Sequence, residues 1–279
     1  METPLDPQFI LINKPAGWTS FDVVAYIRNR ARQQCHPFDR LRAGSKQSEE
    51  SSSSQSDSSA TPQNDSKKKP RIKVGHAGTL DPFATGLLIL GVGREATKRL
   101  DEFKKLRKTY VATIHLGAVS DTYDGTGQIY RNPYPITHNP NDPTINSGTG
   151  YGLWDTEIPT GEQTVEVLKN FVGKQAQIPP MFSAKSINGV RLHKLARQGK
   201  VVERQPSEIE IYNISLLEYD WPLLKIEVEC STGTYIRSLA HDIGQKLGVG
   251  AYCEALERTR IGEFKLENAL GIDKITKKM

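Results

Sequence analysis

One carboxylate stands out in this sequence because of the residues around it. Asp81 lies in GHAGTLDPFATG, residues 75–86, a stretch of mostly small residues. Gly78 and Gly86 permit backbone angles that other residues avoid, and Pro82 stiffens the step after the acid. An acid on such a turn is either an Asx residue that caps the turn, or a catalytic acid, base or nucleophile. The turn alone favours the capping interpretation.

Arg237 is the candidate partner of this acid. It lies in GTYIRS, residues 233–238, where an amphipathic strand leads into a helix. A surface arginine is the simpler interpretation of this residue taken alone. A buried functional carboxylate, however, usually needs a cation to stay ionised, and arginine remains protonated and offers a bidentate fork. We therefore predict contact between Asp81 and Arg237, a hypothesis that sequence spacing does not test.

Three ring side chains accompany these charges. Tyr110 lies near Lys108, Tyr235 lies near Arg237, and His76 belongs to the same glycine-rich stretch as the acid. Rings beside cations suit base stacking over a phosphate-binding rim. Core packing, with the hydroxyl at the surface, explains both tyrosines equally well. A lone histidine in this position is more often a turn residue than a stacking plate.

The sequence lacks the common cofactor motifs. It contains no P-loop, no GxGxxG after a strand, no GxSxG and no HExxH. Cys35, Cys230 and Cys253 form neither a CxxC pair nor a cluster with histidine, which argues against zinc and against a disulfide framework. We therefore predict chemistry with no nucleotide cofactor and no metal.

Composition narrows the class of protein. The chain has 279 residues, of which 37% are hydrophobic, and a net charge of +5. This size fits one large domain or two small ones, and the basic balance is a weak indication of a polyanionic partner. No stretch approaches the ~18 apolar residues of a membrane span, and METPLDPQFILINKP has no signal-peptide pattern. We therefore expect a soluble protein of a reducing compartment, the cytoplasm.

Hydrophobic periodicity predicts the elements that must position these residues. Thr19 and Ser20 offer N-caps for a helix that ends near Arg32. The apolar run from Leu87 to Val92 has the length of a buried strand. Residues 108–117 alternate as a second strand.

The second half of the chain gives equally clear patterns. Thr160 and Gln163 form a capping-box pattern before a helix with Val165, Leu168, Phe171 and Val172 on one face. Residues 224–230 alternate as a half-buried strand, and residues 236–247 have helical spacing up to Gly248. Because helices and strands mix without a regular βαβ rhythm, we predict an α+β fold with a mainly antiparallel central sheet flanked by helices.

Two segments lack the residues needed for a core. Residues 45–69 contain ten serines and no apolar side chain larger than Ala60, so we predict a disordered insertion. Residues 131–150 contain four prolines and predict an irregular loop.

Longer motifs resemble one protein family. KVGHAGTLDPFATGLLILGVGREATK resembles the signature of the bacterial tRNA pseudouridine(55) synthases, the TruB family. Further motifs match in the family's order: INKPAGWTSFDVV, KTYVATIHLGAVSDTYDGTG, PPMFSAKSINGVRLHKLARQG and VECSTGTYIRSLAHDIGQKLGVGAYCEALERTRIGEF. The resemblance covers nearly all of residues 9–264 apart from the two segments above.

The resemblance implies a pseudouridine synthase fold and an activity. Such an enzyme breaks the uridine C1′–N1 bond, rotates the uracil and rejoins it through C5, here at position 55 of the tRNA T-loop. By this resemblance Asp81 is the essential aspartate, Arg237 is its ion-pair partner and Tyr110 stacks on the flipped base. Whether the acid acts as nucleophile or base stays open.

The resemblance also assigns the rest of the pocket. Tyr235 would line it and serve in proton removal from C5, and Leu256 would form part of its wall. His76 would fill the space that the flipped nucleotide leaves in the RNA. Lys108 and Asp124 lie in matching motifs without an assigned role.

The resemblance further implies a monomer that binds the T-arm of tRNA, without metal. We predict a catalytic domain over residues 1–264 and a short tail over 265–279, without the complete C-terminal RNA-binding domain of many relatives. The alternatives are a subunit that depends on a guide RNA and a non-catalytic tRNA chaperone. A glycosidase is a weak third alternative, because no second acid lies in a comparable motif.

Overall fold

The computed structural model describes residues 8–34, 72–131, 158–183, 185–187, 189–196, 198–200 and 202–277. The predicted disorder of residues 45–69 and the predicted loop beyond residue 131 lie outside these ranges. The predicted domain boundary at residue 264 stays a prediction.

The helices are α1 Ser20–Gln34, α2 Arg94–Lys104, α3 Gly161–Lys169, α4 Leu192–Ala196 and α5 Ile236–Leu247. The strands are β1 Phe9–Lys14, β2 Val74–Ala77, β3 Thr85–Val92, β4 Lys108–Leu116, β5 Ala118–Ser120, β6 Ile129–Arg131, β7 Gly173–Gln177, β8 Ser186–Ile187, β9 Val190–Arg191, β10 Ser207–Asp220, β11 Leu223–Cys230, β12 Ala251–Ile261, β13 Phe264–Lys265 and β14 Leu270–Gly271. Short 3₁₀ turns cover Leu266–Asn268 and Ile272–Lys277.

A single large sheet organises the molecule. In the described part of the chain, ten strands pair in the order β14-β1-β3-β12-β4-β11-β10-β7, with β2 added on β3 and β13 on β12. The pairs β1–β14 and β3–β12 are parallel, and the other pairs of this sheet are antiparallel. This confirms the predicted α+β fold with a mainly antiparallel sheet.

Strand β3 is buried on both faces, as its continuous apolar run predicts. Leu87 and Ile89 enter one core cluster with residues of α2, and Leu88 and Leu90 enter another with residues of α1. Successive side chains of a strand point to opposite faces, so both helices pack on the same strand from opposite sides. The turn that leads into β3 is therefore held between two cores.

The largest core lies under α5. Ile236, Leu239, Ala240 and Ile243 pack against inward-facing residues of β4 and β11. Each buried Ile or Leu side chain contributes about 1.5–3 kcal/mol relative to exposure. The helix ends at Gly248, whose φ of 78° confirms the predicted left-handed cap.

The predicted helix starts are confirmed. Helix α1 begins at Ser20, and the amide of Asp22 donates to Thr19 Oγ1 at 3.0 Å. Thr160 and Gln163 form the predicted capping box of α3. The predicted extension of α3 is wrong: the helix ends at Lys169, so Phe171 and Val172 lie in the turn into β7, which begins at Gly173 with φ 108°.

Candidate active site

The turn between β2 and β3 presents Asp81 and is fixed from the side of α1. Ser20 Oγ accepts a hydrogen bond from the Leu80 amide at 2.9 Å and donates to the Leu80 carbonyl at 3.3 Å. Gly78 starts the turn with φ 83°, a value that other residues rarely adopt. The Gly17 amide donates to the Pro82 carbonyl at 2.8 Å on the other side of the acid. Asp81 is therefore held between two anchored neighbours.

Lys14 is a buried cation behind this turn. Its ammonium group donates to the carbonyls of Pro15, Trp18 and Pro82 at 2.9, 2.7 and 3.3 Å. Burial lowers the pKa of Lys14 to about 8, although the nearby charge of Asp81 acts in the opposite direction. The sequence analysis gave Lys14 no role. A lysine at the end of an apolar strand, followed by proline, was the available signal.

Asp81 and Arg237 form the predicted ion pair. Arg237 Nε donates to Asp81 Oδ2 at 2.9 Å, and Arg237 Nη2 donates to Oδ1 at 3.2 Å. The arginine side chain is 3% exposed and that of the aspartate 35%. The acid therefore keeps a solvent-facing edge, while its cationic partner lies beneath it.

Arg237 is saturated by further acceptors. Its Nη1 donates to the Thr122 carbonyl at 2.9 Å, and its Nη2 donates to the Phe182 carbonyl at 2.8 Å. Asp124 Oδ2 lies 3.2 Å from Nη1 and forms a second ion pair. One guanidinium group thus joins two carboxylates and two main-chain carbonyls, which fixes its orientation.

Asp124 is itself fixed by the turn that carries it. Its Oδ1 accepts hydrogen bonds from Thr122 Oγ1 at 2.8 Å, from the Thr126 amide at 3.0 Å and from Thr126 Oγ1 at 2.5 Å. The side chain is buried. Asp124, which had no assigned role from the sequence, therefore forms an ion pair with Arg237.

The environment of Asp81 sets its proton affinity. Burial raises the pKa of Asp81, and the charge of Asp124 acts in the same direction. Arg237 and, more weakly, Lys14 oppose this rise because both favour the ionised form. An acid of raised pKa beside a cation is common among catalytic groups.

Tyr110 lies on β4 against the core under α5 and is half-buried. Burial raises its pKa, and the charge of Arg258 opposes this rise. Asp81 is near enough for its charge to raise the pKa of Tyr110 further. The hydroxyl therefore lies within the influence of a buried cation, unlike the surface hydroxyl of the core-packing interpretation.

Arg258 is the second buried cation that the sequence analysis missed. It lies opposite Tyr110 in the β12–β4 ladder and is 1% exposed. Its Nε donates to the Leu87 carbonyl at 2.8 Å, and its Nη2 donates to the Gly78 carbonyl at 3.1 Å. Arg258 therefore connects the turn that carries Asp81 with β3, at the ladder position opposite Tyr110. Its sequence context, ERTR, reads as a charged surface and gives no signal of burial.

Tyr235 occupies the N-cap position of α5. Its amide donates to Gln177 Oε1 at 2.8 Å, and Gln177 Nε2 donates to its carbonyl at 3.0 Å. Burial raises the pKa of its phenol. The charges of Asp81 and Arg237 both act on this phenol, so Tyr235 lies near the ion pair.

The remaining predicted residues lie around this centre. Leu256 is 7% exposed and belongs to the core cluster against which Tyr110 packs. His76 lies on β2, and its ring meets that of Phe21 edge to face at 6.1 Å. The structure thus brings Asp81, Arg237, Tyr110 and Tyr235 together, with Leu256 beneath and His76 in a neighbouring groove.

That groove runs between α1, β2 and α2 beside the catalytic turn. Its walls include the turn residues Gly78 and Thr79. Its basic side chains are Arg28, Arg32, Lys73 and Lys104, and its lining contains no carboxylate within the described ranges. Phe21, at its rim, is 70% exposed. A positive groove with a free ring suits a polyanion that carries flat bases.

Two broader properties concern only the residues that the structure describes. None of their helices is long and apolar enough to cross a membrane. They contain no group of three or more His, Cys, Asp or Glu side chains that could hold a metal ion.

Comparisons with known proteins agree with this geometry. The family model described as "TruB family pseudouridylate synthase (N terminal domain)" matches residues 66–151 and 147–236. A second model, "tRNA pseudouridylate synthase B C-terminal domain", matches residues 237–279. These descriptions define a pseudouridylate synthase as the class of protein.

Individual relatives extend over almost the whole chain. A tRNA pseudouridine synthase B from Protochlamydia amoebophila is 41% identical over 261 residues, which cover 94% of this chain and 76% of that protein. One from Bacteroides fragilis is 41% identical over 263 residues, which cover 94% and 90%. The chain belongs to the TruB family.

A solved structure shares the fold. The crystal structure of a Cbf5-Nop10-Gar1 complex matches with a TM-score of 0.57 and 26% identity over 95% of this chain. The match covers 53% of that solved chain, so the present chain spans about half its length.

Proposed function

We propose that this protein converts a uridine of tRNA to pseudouridine, at position 55 of the T-loop. The observation that carries this proposal is the bidentate Asp81–Arg237 pair, with its acid edge exposed and two tyrosines beside it, in a chain of this family. The net reaction breaks C1′–N1, forms C1′–C5 and moves one hydrogen from C5 to N1. It is an isomerisation whose atoms balance without a co-reactant.

Asp81 is the group that acts on the target nucleoside. Its side chain is partly exposed, and the bidentate pair with Arg237 prevents the carboxylate from rotating away. As nucleophile it would attack the sugar, and as base it would act at the 2′ position; both require the ionised form, which Arg237 favours. Because Arg237 binds both oxygens, the acid is oriented before the substrate arrives.

The rings compensate for removing the uridine from its stack. Extruding a nucleotide costs a few kcal/mol, and stacking on an aromatic side chain returns roughly 1–3 kcal/mol per base. Tyr110 supplies such a face from β4, where it lies opposite Arg258 in the β12–β4 ladder. Leu256, buried in the core cluster against which Tyr110 packs, contributes an apolar wall that retains the detached uracil.

Tyr235 is a neutral phenol in the free enzyme. Burial, reinforced by the charge of Asp81, raises its pKa above the ordinary value of 10.0. A phenolate is therefore scarce at neutral pH, and any proton removal from C5 by Tyr235 would follow a change in this environment when substrate binds.

The RNA around the target lies along the basic groove. Four cations, Arg28, Arg32, Lys73 and Lys104, line it beside the catalytic turn. His76 lies between this groove and the turn, in a place to occupy the gap that the flipped nucleotide leaves. Since one chain supplies Asp81, Arg237 and both tyrosines, we propose a monomer acting on the T-arm in the cytoplasm.

The test is pseudouridine mapping in T-arm transcripts incubated with the purified protein, without guide RNA or cofactor. We expect one modified uridine with the parent protein and none with Asp81→Asn, while tRNA binding is kept. Asp101→Asn is the matched control, because Asp101 lies on α2 in an exposed ion pair with Lys104. Binding and refolding without any product would favour the chaperone, and product only with an added guide would favour the guide-dependent subunit.

A further inference from the structure

The turn between β5 and β6 contains a backbone conformation that is unusual for its residue type. Tyr123 has a φ of 62°, and it is the one non-glycine residue with positive φ in the described part of the chain. Bulky residues in this left-handed region are strained, and such strain persists only where the surroundings hold it. Neighbouring residues must therefore stabilise this backbone conformation of Tyr123.

The residues on either side of Tyr123 both reach the same atom. The Thr122 carbonyl accepts from Arg237 Nη1 at 2.9 Å, and Asp124 Oδ2 lies 3.2 Å from that nitrogen. The left-handed step at Tyr123 reverses the chain, so that a main-chain oxygen before it and a carboxylate after it converge. A relaxed backbone at Tyr123 would turn one of the two away from Arg237.

A ring stack holds this turn against the helix that carries Arg237. The Tyr123 and His241 rings are stacked, with centroids 4.1 Å apart and planes at 14°. His241 lies four residues after Arg237, one turn along α5, and therefore on the same side of the helix. The Tyr123 carbonyl also accepts from the Cys253 amide at 3.0 Å, which ties the turn to β12.

The phenol of Tyr123 lies near a third segment. The charge of Arg204 acts on this phenol, and Arg204 Nη1 donates to the Pro179 carbonyl at 3.1 Å. Pro179 lies three residues before Phe182, whose carbonyl accepts from Arg237. Tyr123 thus lies near both segments that supply main-chain acceptors to Arg237.

We propose that Tyr123 is a positioning residue for the Asp81–Arg237 pair. Its ring, stacked on His241, keeps the turn in the strained conformation that aims Thr122 and Asp124 at Arg237. The catalytic consequence rests on the proposed function, whereas the structural consequence does not. Tyr123 acts through Arg237 and does not contact the reacting atoms.

Three substitutions separate the ring, the hydroxyl and the backbone. Tyr123→Phe keeps the stack and removes only the hydroxyl, so we expect single-turnover rates close to that of the parent. Tyr123→Leu loses the stack but keeps the strain, and Tyr123→Gly loses both. A catalytic group misplaced by about 1 Å can lower the reaction rate on the order of 100-fold. We therefore expect Tyr123→Leu and Tyr123→Gly to slow the single-turnover reaction of bound tRNA roughly 10- to 100-fold, with the Kd for tRNA nearly unchanged.

The control and the partner variant exclude a simple folding defect. Tyr212 lies on β10, and its half-buried ring packs under Arg107. Tyr212→Leu removes this ring, and we expect the variant to keep the parent rate. His241→Ala removes the other half of the stack and should slow the reaction like Tyr123→Leu, with little further loss in the double variant. Unchanged rates for Tyr123→Leu and Tyr123→Gly would overturn the proposal, and so would a loss confined to Kd, which would indicate direct RNA contact.

A second measurement does not depend on activity. In the free protein, the Arg237 Nε–H signal in an NMR spectrum should exchange slowly with solvent, because it is bonded to Asp81. We expect exchange at least roughly 10-fold faster in Tyr123→Leu and unchanged in Tyr123→Phe. Equal exchange in all variants would overturn the positioning role even if the parent made no pseudouridine. Absence of product from the parent alone would contradict only the proposed function.

Discussion

Arg237 Nε and Nη2 hold both carboxylate oxygens of Asp81, at 2.9 and 3.2 Å, across 156 residues of sequence. The arginine lies almost entirely below the surface and also binds the carbonyls of Thr122 and Phe182. The fold therefore sets the position of Arg237, and Arg237 in turn sets the orientation of Asp81. An electrostatic arrangement fixed in advance avoids reorganisation during the reaction.

The planar fork of Arg237 is therefore expected to matter as much as its charge. Arg237→Lys keeps a cation but holds one carboxylate oxygen instead of two and leaves carbonyl acceptors unpaired. We expect the single-turnover rate to fall on the order of 100-fold while the protein still folds. Arg99→Lys, in an exposed pair with Glu102, is the matched control. A rate near that of the parent would contradict the positioning of Asp81 by the fork.

The pH profile should report the raised pKa of Asp81. The proposed reaction uses Asp81 as a carboxylate, and burial raises its pKa above the ordinary 3.8, so protonation begins at a higher pH than for a solvated aspartate. The rate should therefore fall with decreasing pH, with a midpoint above 3.8. Single-turnover rates between about pH 4 and pH 8 would measure it.

A substitution of Lys14 tests independently in which direction a nearby charge shifts the pKa of Asp81. The charge of Lys14 lowers the pKa of Asp81, so Lys14→Met should move the acidic midpoint to still higher pH. The folded fraction of the variant must be measured in parallel, because Lys14 binds three carbonyls. A midpoint that moved down would show that Lys14 does not act on Asp81 by its charge.

Tyr110 should contribute its ring more than its hydroxyl. We expect Tyr110→Ala to lower turnover at least about 10-fold, because stacking is worth roughly 1–3 kcal/mol per base. Tyr110→Phe keeps the face and should retain more activity. Rates and urea unfolding curves should be measured together. Loss of the folded state in Tyr110→Ala, without a separate loss of turnover, would restore the interpretation of a core residue.

Arg258 should be essential for stability. Arg258→Met removes the donors to the Leu87 and Gly78 carbonyls, and each orphaned acceptor costs about 1–3 kcal/mol. We expect the free energy of unfolding in urea to fall by several kcal/mol. Arg260→Met is the control, because Arg260 is exposed on the same strand. Equal stability of the two variants would refute a structural role for the buried guanidinium.

The buried cysteines should resist alkylation. Burial raises the pKa of Cys230 to about 12 and that of Cys253 still further. Since the thiolate is the reactive form, both should react with iodoacetamide far more slowly than a free thiol at pH about 8. Peptide mapping by mass spectrometry after native labelling would measure this, with urea-unfolded protein as the control. Rapid native labelling of Cys230 would show that its strand opens.

The sequence predicted the elements whose patterns are local. The capping pair Thr160 and Gln163 marked the start of α3, and Gly248 marked the end of α5, because caps depend on neighbours in the chain. The end of α3 was misjudged, since Phe171 and Val172 continue the apolar spacing after the helix has ended. Phe171 still packs against the core from the turn, whereas Val172 is 48% exposed, so apolar spacing alone does not mark the end of a helix.

The site was only partly predictable. The pairing of Asp81 with Arg237 was predicted because a buried carboxylate needs a cationic partner to stay ionised. The residue types alone were enough for that hypothesis. Lys14 and Arg258 were missed because their burial depends on strands distant in sequence that close over them. The Thr122 and Phe182 carbonyls could not be found either, because every residue has a carbonyl and only the fold aims one at a guanidinium group.

The pairing of β1 with β3 has a consequence for how the chain can be divided. Phe9–Lys14 forms a ladder of six residue pairs with β3, and α1 contributes Val23, Val24 and Ile27 to the core that β3 completes. Two separately expressed pieces, residues 1–34 and 72–279, would therefore carry complementary halves of one interior. We therefore expect the two pieces to associate when mixed and to rebuild the turn that carries Asp81.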